Sequence, residues 1–329
     1  MDLDAFTAVR QSSWARLDEL SRRRVADGAE ADEMVRLYQS VATDLSTIRS
    51  TAPDPDTITR LSQLLARARS RIAGSHEPTW RDARRFLVVS LPAALYRIRW
   101  WTVAVMVACT AVAVLAGWWV ATNPDALAAM GTPTERQAYV DDAFASYYDP
   151  GLGFAGVVWT NNAWIAALCI GIGISGIGPL YVLAQNAVNV GAIGGMMAAH
   201  DSLDLFLQLI APHGLLELTS IFVAGAAGLR LFWTWIDPQG RPRTRALAQE
   251  GRSLITVAIG LVGALALSGL VEGFVTGSSL PWWLKIVIGA LALAAFWTYT
   301  IVLGRRAARD GETGDLDEDA AGYAVATAA

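Results

Sequence analysis

The sequence predicts an all-α, polytopic membrane protein in which six transmembrane helices are preceded by a small cytoplasmic helical domain. Three observations carry that expectation. Of the 329 residues 53% are hydrophobic and the mean hydropathy is positive. The apolar residues gather in runs of about 20, the length a helix needs to cross hydrocarbon. The thirteen Trp cluster near the ends of those runs, where amphipathic rings suit a membrane–water interface.

Residues 1–98 are polar and charged, with apolar side chains recurring at helical spacing. Phe6, Val9, Trp14, Leu17 and Leu20 form one stripe; Met34, Leu37, Tyr38, Val41 and Leu45 form a second. Ile58, Leu61, Leu64 and Leu65 form a third, set off by Pro53 and Pro55 with Asp56 as the expected N-cap. Three amphipathic helices of this kind can bury a common face. The stretch 80–99 differs, since Phe86 to Tyr96 is apolar between arginines, and it is expected to lie in the lipid interface and turn upward at Pro92. A basic amphipathic stretch can also bind nucleic acid, but beside a membrane span lipid head groups are the expected partner. The domain of six spans is expected over 99–305, with runs at 100–121, 155–177, 178–199, 212–236, 253–276 and 282–304. Gly176, Gly178 and Pro179 split the second run from the third into a helical hairpin. Residues 306–329 are acidic at their centre and lack periodicity, which predicts a disordered acidic tail.

The net charge of −4 conceals a segregated distribution. Arginines crowd the flanks of the first span (Arg81, Arg84, Arg85, Arg97, Arg99), the loop after the fourth (Arg241, Arg243, Arg245, Arg252) and the end of the sixth (Arg305, Arg306, Arg309). The segment 124–154 holds only Arg136 against five acids. Basic residues mark cytoplasmic loops, so both termini are expected in the cytoplasm. No apolar h-region of a cleavable signal peptide opens the chain, and the first span is expected to serve as signal anchor. Cys109 and Cys169 lie within spans, where thiols act as packing groups, so neither disulfide nor thiol chemistry is expected.

The candidate site is intramembrane. Asn161, Asn162, Asn189, His213, Glu217 and Glu272 fall within the apolar runs, and helix rise places Glu217 and Glu272 roughly 10 Å from the midplane on the extracytoplasmic side, with His213 on that side too. Each charge in hydrocarbon costs roughly 2.5 to 3.5 kcal/mol, which favours positions facing a bundle interior. His213 and Glu217 are four residues apart and share a helix face. These groups could relay protons, line a vestibule for a polar substrate, or form a buried network that fixes helix register. With Glu272 they also form a candidate set for Zn or Mn. The metal reading lacks the His-Glu-x-x-His arrangement of zinc peptidases, and neither cofactor nor matched nucleophile and base is expected. Gly171, Gly173 and Gly176 spell a dinucleotide fingerprint by chance inside an apolar run; Ala167 with Gly171 and Ala224 with Gly228 read instead as faces for close helix approach. Arg230 reads as a side chain that snorkels to the interface.

The series Asn161-Asn162, Asn189-Val190-Gly191, His213-Gly214-Leu215-Leu216-Glu217-Leu218 and Val271-Glu272-Gly273-Phe274-Val275-Thr276 resembles the stage II sporulation protein M family. Phe6, Arg10, Trp14 and Leu17 are similar to that family's soluble helical region. The resemblance implies a membrane scaffold of the bacterial cell envelope that recruits partner proteins, in a family also found in bacteria that never sporulate. One Lys against twenty-five Arg fits a GC-rich genome. Beside the scaffold stand two further readings, a transporter or channel for a small solute or ion through an outward-facing Asn/His/Glu cavity, and an intramembrane metalloenzyme. Expected partners are membrane lipids, envelope membrane proteins and a second copy in a homodimer, with no role for nucleic acid.

Overall fold

The computed structural model describes residues 3–23, 28–72, 80–146 and 152–315. The described residues divide into two compact units, one holding the α-helical residues up to 72 and the other residues 80–315. The boundary therefore falls at 79/80 rather than at 98/99, because residues 80–97 pack with the apolar helices that follow.

The first unit consists of α1 (Leu3–Arg22), α2 (Gly28–Thr51) and α3 (Pro55–Ile72). Their apolar stripes meet in a core of Trp14, Leu17, Leu20, Met34, Val41, Ile48, Leu61 and Leu64. Val9 departs from the expected stripe and is exposed. The Trp14 indole donates to the buried Asp44 carboxylate at 2.9 Å. Cross-helix ion pairs Arg16–Glu33 (2.8 Å) and Arg67–Asp18 (2.7 Å) ring the core. The N-cap of α3 is Asp54, not Asp56: its carboxylate accepts the Thr57 N–H at 2.8 Å and Pro55 takes the first helical position, where a missing N–H costs nothing. The Thr57 side chain and backbone together hold the Asp54 carboxyl below its ordinary range.

The second unit opens with α4 (Trp80–Arg85), a π-helical turn (Phe86–Ser90) and α5 (Leu91–Arg97). Pro92 sits in the first turn of α5 and does not bend the chain upward; the break comes at Ile98, whose φ of −95° and ψ of 3° leave the helix. Leu91, Ala93, Ala94 and Leu95 are buried beneath later helices, whereas Leu87 and Val88 remain exposed. Next come α6 (Arg99–Thr122), three short helices α7 (Pro124–Ala128), α8 (Pro133–Ala138) and α9 (Phe144–Ser146), then α10 (Leu152–Gly171), α11 (Ile177–Ala199), α12 (Leu203–Ile236), α13 (Arg243–Val271), α14 (Trp282–Thr298) and α15 (Gly304–Arg309). Turns of π-helix at Glu272–Thr276 and Tyr299–Leu303 extend α13 and join α14 to α15.

Five helices among the described residues are long and apolar enough to cross a membrane: Arg99–Thr122, Ile177–Ala199, Leu203–Ile236, Arg243–Thr276 and Trp282–Arg309. The apolar stretch of α10, Ala155–Gly171, is shorter. It nonetheless runs the depth of the bundle. A Cβ on Gly269 of α13 would meet the Ala155 carbonyl at 3.1 Å, the Trp159 indole donates to the Val262 carbonyl at 3.2 Å, and the Cys169 carbonyl meets Gly228 of α12. The hairpin expected between the second and third runs is made by a 3-10 turn at Gly173–Ser175 and by Gly176, whose φ of +67° is a left-handed conformation that favours glycine. The next helix begins nine residues before the expected 212, and Pro212 lies inside it.

Helices α6 and α11 run side by side, and a Cβ at Gly191 or Gly195 would collide with the backbone at Ala113 or Gly117. The Ala224/Gly228 pair does form a close face, since Ala224 is fully buried and Gly228 abuts the Cys169 carbonyl. Ala167 and Gly171 do not; both are exposed, because the packed face of α10 carries Ala166 and Cys169 instead. The tail expected to be free from 306 is first helical to Arg309 and then returns over α5. There Glu312 pairs with Arg85 (3.0 Å), Asp315 with Arg252 (3.4 Å), and Arg97 donates to the Thr313 carbonyl. The rest of that tail, 316–329, lies outside the described residues.

Candidate functional site

Two polar clusters join α12 to α13. The first draws on three helices. Helical periodicity stacks His213 over Glu217 on α12, and the antiparallel α13 brings Ser268 and Glu272 to the same level. The π-helical turn at Glu272–Thr276 presents two residues of that segment to one imidazole. His213 Nδ1 lies 3.1 Å from Thr276 Oγ1, and its Nε2 faces Glu272 Oε1 at 3.7 Å. Ser268 donates to the His213 carbonyl at 3.0 Å. Asn162 of α10, itself buried, donates to the Val158 carbonyl, and it and Ser268 lie close enough to the Glu217 carboxyl to interact with it. His213 and Glu272 are 5% and 3% exposed, and Glu217 is partly buried. One ligand atom from each of His213, Glu217 and Glu272 can be chosen so that all lie within 4.8 Å of one another.

Not every expected residue joins this cluster. Asn161 is exposed while its neighbour Asn162 is buried, because α10 packs through the single face of Ala155, Val158, Asn162, Ala166 and Cys169, and adjacent helical residues point about 100° apart. Asn189 is exposed too, since α11 packs through Leu183, Ala187, Gly191, Gly194 and Gly195, a face that excludes it. Three helices, not four, supply the polar slab. Ser268 and Thr276 belong to it and were not singled out from the sequence; one hydroxyl four residues before Glu272 and one four residues after it is the helical spacing that could have found them.

The second cluster lies toward the other end of the same helix pair. Glu250, 4% exposed, accepts from Arg97 through Oε2 and from Arg230 at 2.9 Å through Oε1. Arg230 also donates to the Arg97 carbonyl at 3.1 Å. Arg230 is thus a partner in a partly buried triad around Glu250 rather than a lone snorkelling anchor. Glu250 and Glu272 are about 33 Å apart at 1.5 Å per residue along α13, close to the thickness of a hydrocarbon core.

Neither cluster opens into the cavity enclosed by α6, α11 and α12. That space, about 520 Å³, is lined by Ala113, Gly117, Asn186, Gly191, Phe206 and Phe222 among others, and by no residue of either cluster. Cys109 and Cys169 are buried free thiols.

Residues 106–277 match the family model described as Stage II sporulation protein M. Residues 4–74 match a domain of unknown function, DUF8413. A protein described as uncharacterized, from Methanocaldococcus jannaschii, is 25% identical over 144 residues, which cover 42% of this chain and 79% of that protein. No solved structure matches.

Proposed function

Because the match over residues 106–277 takes in more than half of its 329 residues, this chain belongs to the stage II sporulation protein M family, and from that premise we propose that it is a membrane-embedded assembly protein of the bacterial cell envelope, recruiting partner proteins through its N-terminal helical domain. One observation supports this above the alternatives: His213, Glu217 and Glu272 are turned on one another, while the helices α1 to α3 form a separate unit with its own core. A solute path needs groups in contact with a wet cavity. His213 and Glu272 are closed, and the cavity beside α6 is apolar and does not reach them.

In this reading α10 crosses the membrane with the other five helices despite its shorter apolar stretch. The arginine-rich segments before α6, after α12 and after α14 then share one face, and both termini are cytoplasmic. With α10 excluded, the arginines after α12 would fall opposite those before α6. The helical domain faces cytoplasmic partners, and the acidic helical segment 124–146 faces the other side.

The test is in-cell cross-linking and purification of the full chain beside a chain lacking residues 1–79, each first shown to be in the membrane fraction. Recruitment through the domain expects cross-linked membrane-protein partners to be lost with it. An unchanged set, or a solute flux in proteoliposomes that Glu217→Gln abolishes, overturns the reading.

A further inference from the structure

We propose that His213, Glu217 and Glu272 hold one divalent transition-metal ion of the zinc class inside the bundle, tying α12 to the end of α13. The site is independent of the recruitment reading and stands or falls on its own chemistry. Its donors are an imidazole nitrogen and two carboxylates, a set that suits zinc or manganese.

Spacing is the first argument. A hydrogen bond between an imidazole and a carboxylate closes to about 2.7 to 3.2 Å. His213 Nε2 and Glu272 Oε1 stand 3.7 Å apart, facing each other without touching. Two donors on a tetrahedral zinc, each at about 2.0 to 2.2 Å, are separated by roughly 3.4 Å. The gap is therefore that of two ligands on a common ion, and the three donors all fall within 4.8 Å.

The orphaned oxygen is the second, independent argument. Glu272 is 3% exposed, and its Oε2 has no hydrogen-bond partner among the described residues. A buried carboxylate oxygen left without donor or cation is costly, and here a second carboxylate, Glu217, lies close enough for the two charges to interact. Lys285 does not compensate for either; its ammonium donates to the Thr276 carbonyl at 2.7 Å. Among the described residues neither acid has an Arg or Lys ion pair, and a dication supplies that charge.

The surroundings have the form of an outer shell. A metal-bound histidine ordinarily has its second nitrogen fixed by a hydrogen bond, which sets ring orientation and tautomer. Thr276 Oγ1 does this for His213 Nδ1, leaving Nε2 directed at Glu272. Ser268, beside them, donates to the His213 carbonyl and holds α13 against α12 at this level. The π-helical turn at Glu272–Thr276 is what brings donor and orienting hydroxyl to one ring, and such turns recur at functional sites.

The experiment is elemental analysis of full-length protein, purified in detergent through a tag without histidines and washed with chelator, which removes loosely held ions but not one sealed in the bundle. About one zinc per chain is expected to remain, falling on the order of tenfold or more in His213→Ala and in Glu272→Gln. Asn161→Ala, outside the cluster, keeps it. One manganese or iron per chain in place of zinc, lost in the same variants, also supports the site. Wild-type protein with less than about a tenth of an equivalent of any of the three metals overturns it, as does zinc unchanged in both variants. If the variants do not fold, wild-type protein from zinc-depleted and zinc-supplemented medium decides: a higher melting temperature after supplementation supports the site, and identical melting with no retained metal sinks it.

Discussion

At Glu250 one carboxylate answers two guanidinium groups, and none of the three residues shows its role in the sequence. Glu250 lies among arginines of a loop-flanking segment, Arg230 is 20 residues away on another helix, and Arg97 is 153 away. Only the antiparallel pairing of α12 with α13 makes them neighbours. Removing the acid leaves two partly buried cations beside each other, so Glu250→Ala is expected to destabilise the protein by about 3 kcal/mol, the lower end for a broken buried pair because both arginines keep some solvent contact. Thermal unfolding in detergent measures it; a loss under about 1 kcal/mol would mean that solvent already screens the triad. The first cluster was more legible. His213 and Glu217 share a helix face by spacing alone, and Glu272 follows once the two helices are taken as antiparallel. Asn161 and Asn189 misled because a polar residue in an apolar run marks a depth, whereas its inward or outward direction depends on which face the helix packs.

Among the elements, long periodic helices were readable and short ones were not. The segment 124–146 looks like an acidic loop, yet α7 is capped by Asn123 and α8 by a Thr132/Glu135 capping box. Each is too short for a hydrophobic period to register. The apolar residues of segment 124–146 pack on the ends of α6, α11 and α12, Val140 and Phe144 against Met197 and Phe206, and Ala126 against Val120 and Met196. The start of α12 was misplaced for a related reason, since Pro212 reads as a helix beginning although the structure carries it inside the helix. Small residues at four-residue spacing proved an ambiguous signal: Gly191 and Gly195 do bring α11 against α6, while Ala167 and Gly171 face outward. The α6–α11 contact leaves no room for added volume. Gly195→Val is expected to cost about 1 to 3 kcal/mol through overpacking, read as a fall in melting temperature, whereas Gly171→Val, in open space, leaves it unchanged beyond a few tenths. Equal effects at the two positions would mean that helix propensity, not packing, sets the cost.

On the scale of the whole molecule, the division into a helical domain and an apolar bundle was visible in composition, because polar stripes and unbroken apolar runs answer to different solvents. The boundary was not, since residues 80–97 carry enough arginine to resemble an interfacial helix yet bury Leu91 to Leu95 under α13 and α15. In the proposed reading the apolar unit is not a conduit, because its His213/Glu272 pair is closed. Ser268 and Thr276 are 1% and 0% exposed beside His213, and neither is a proposed metal donor. The direct measurement is thiol labelling in sealed vesicles with a membrane-impermeant maleimide, using Ser268→Cys and Thr276→Cys with Cys109 and Cys169 replaced by Ala, and Asp125→Cys as the exposed control. A sealed cluster predicts labelling of position 125 from one face and of neither 268 nor 276 from either face. Rapid labelling of 268 or 276 from one face would contradict it and establish a water-filled route to the His/Glu cluster.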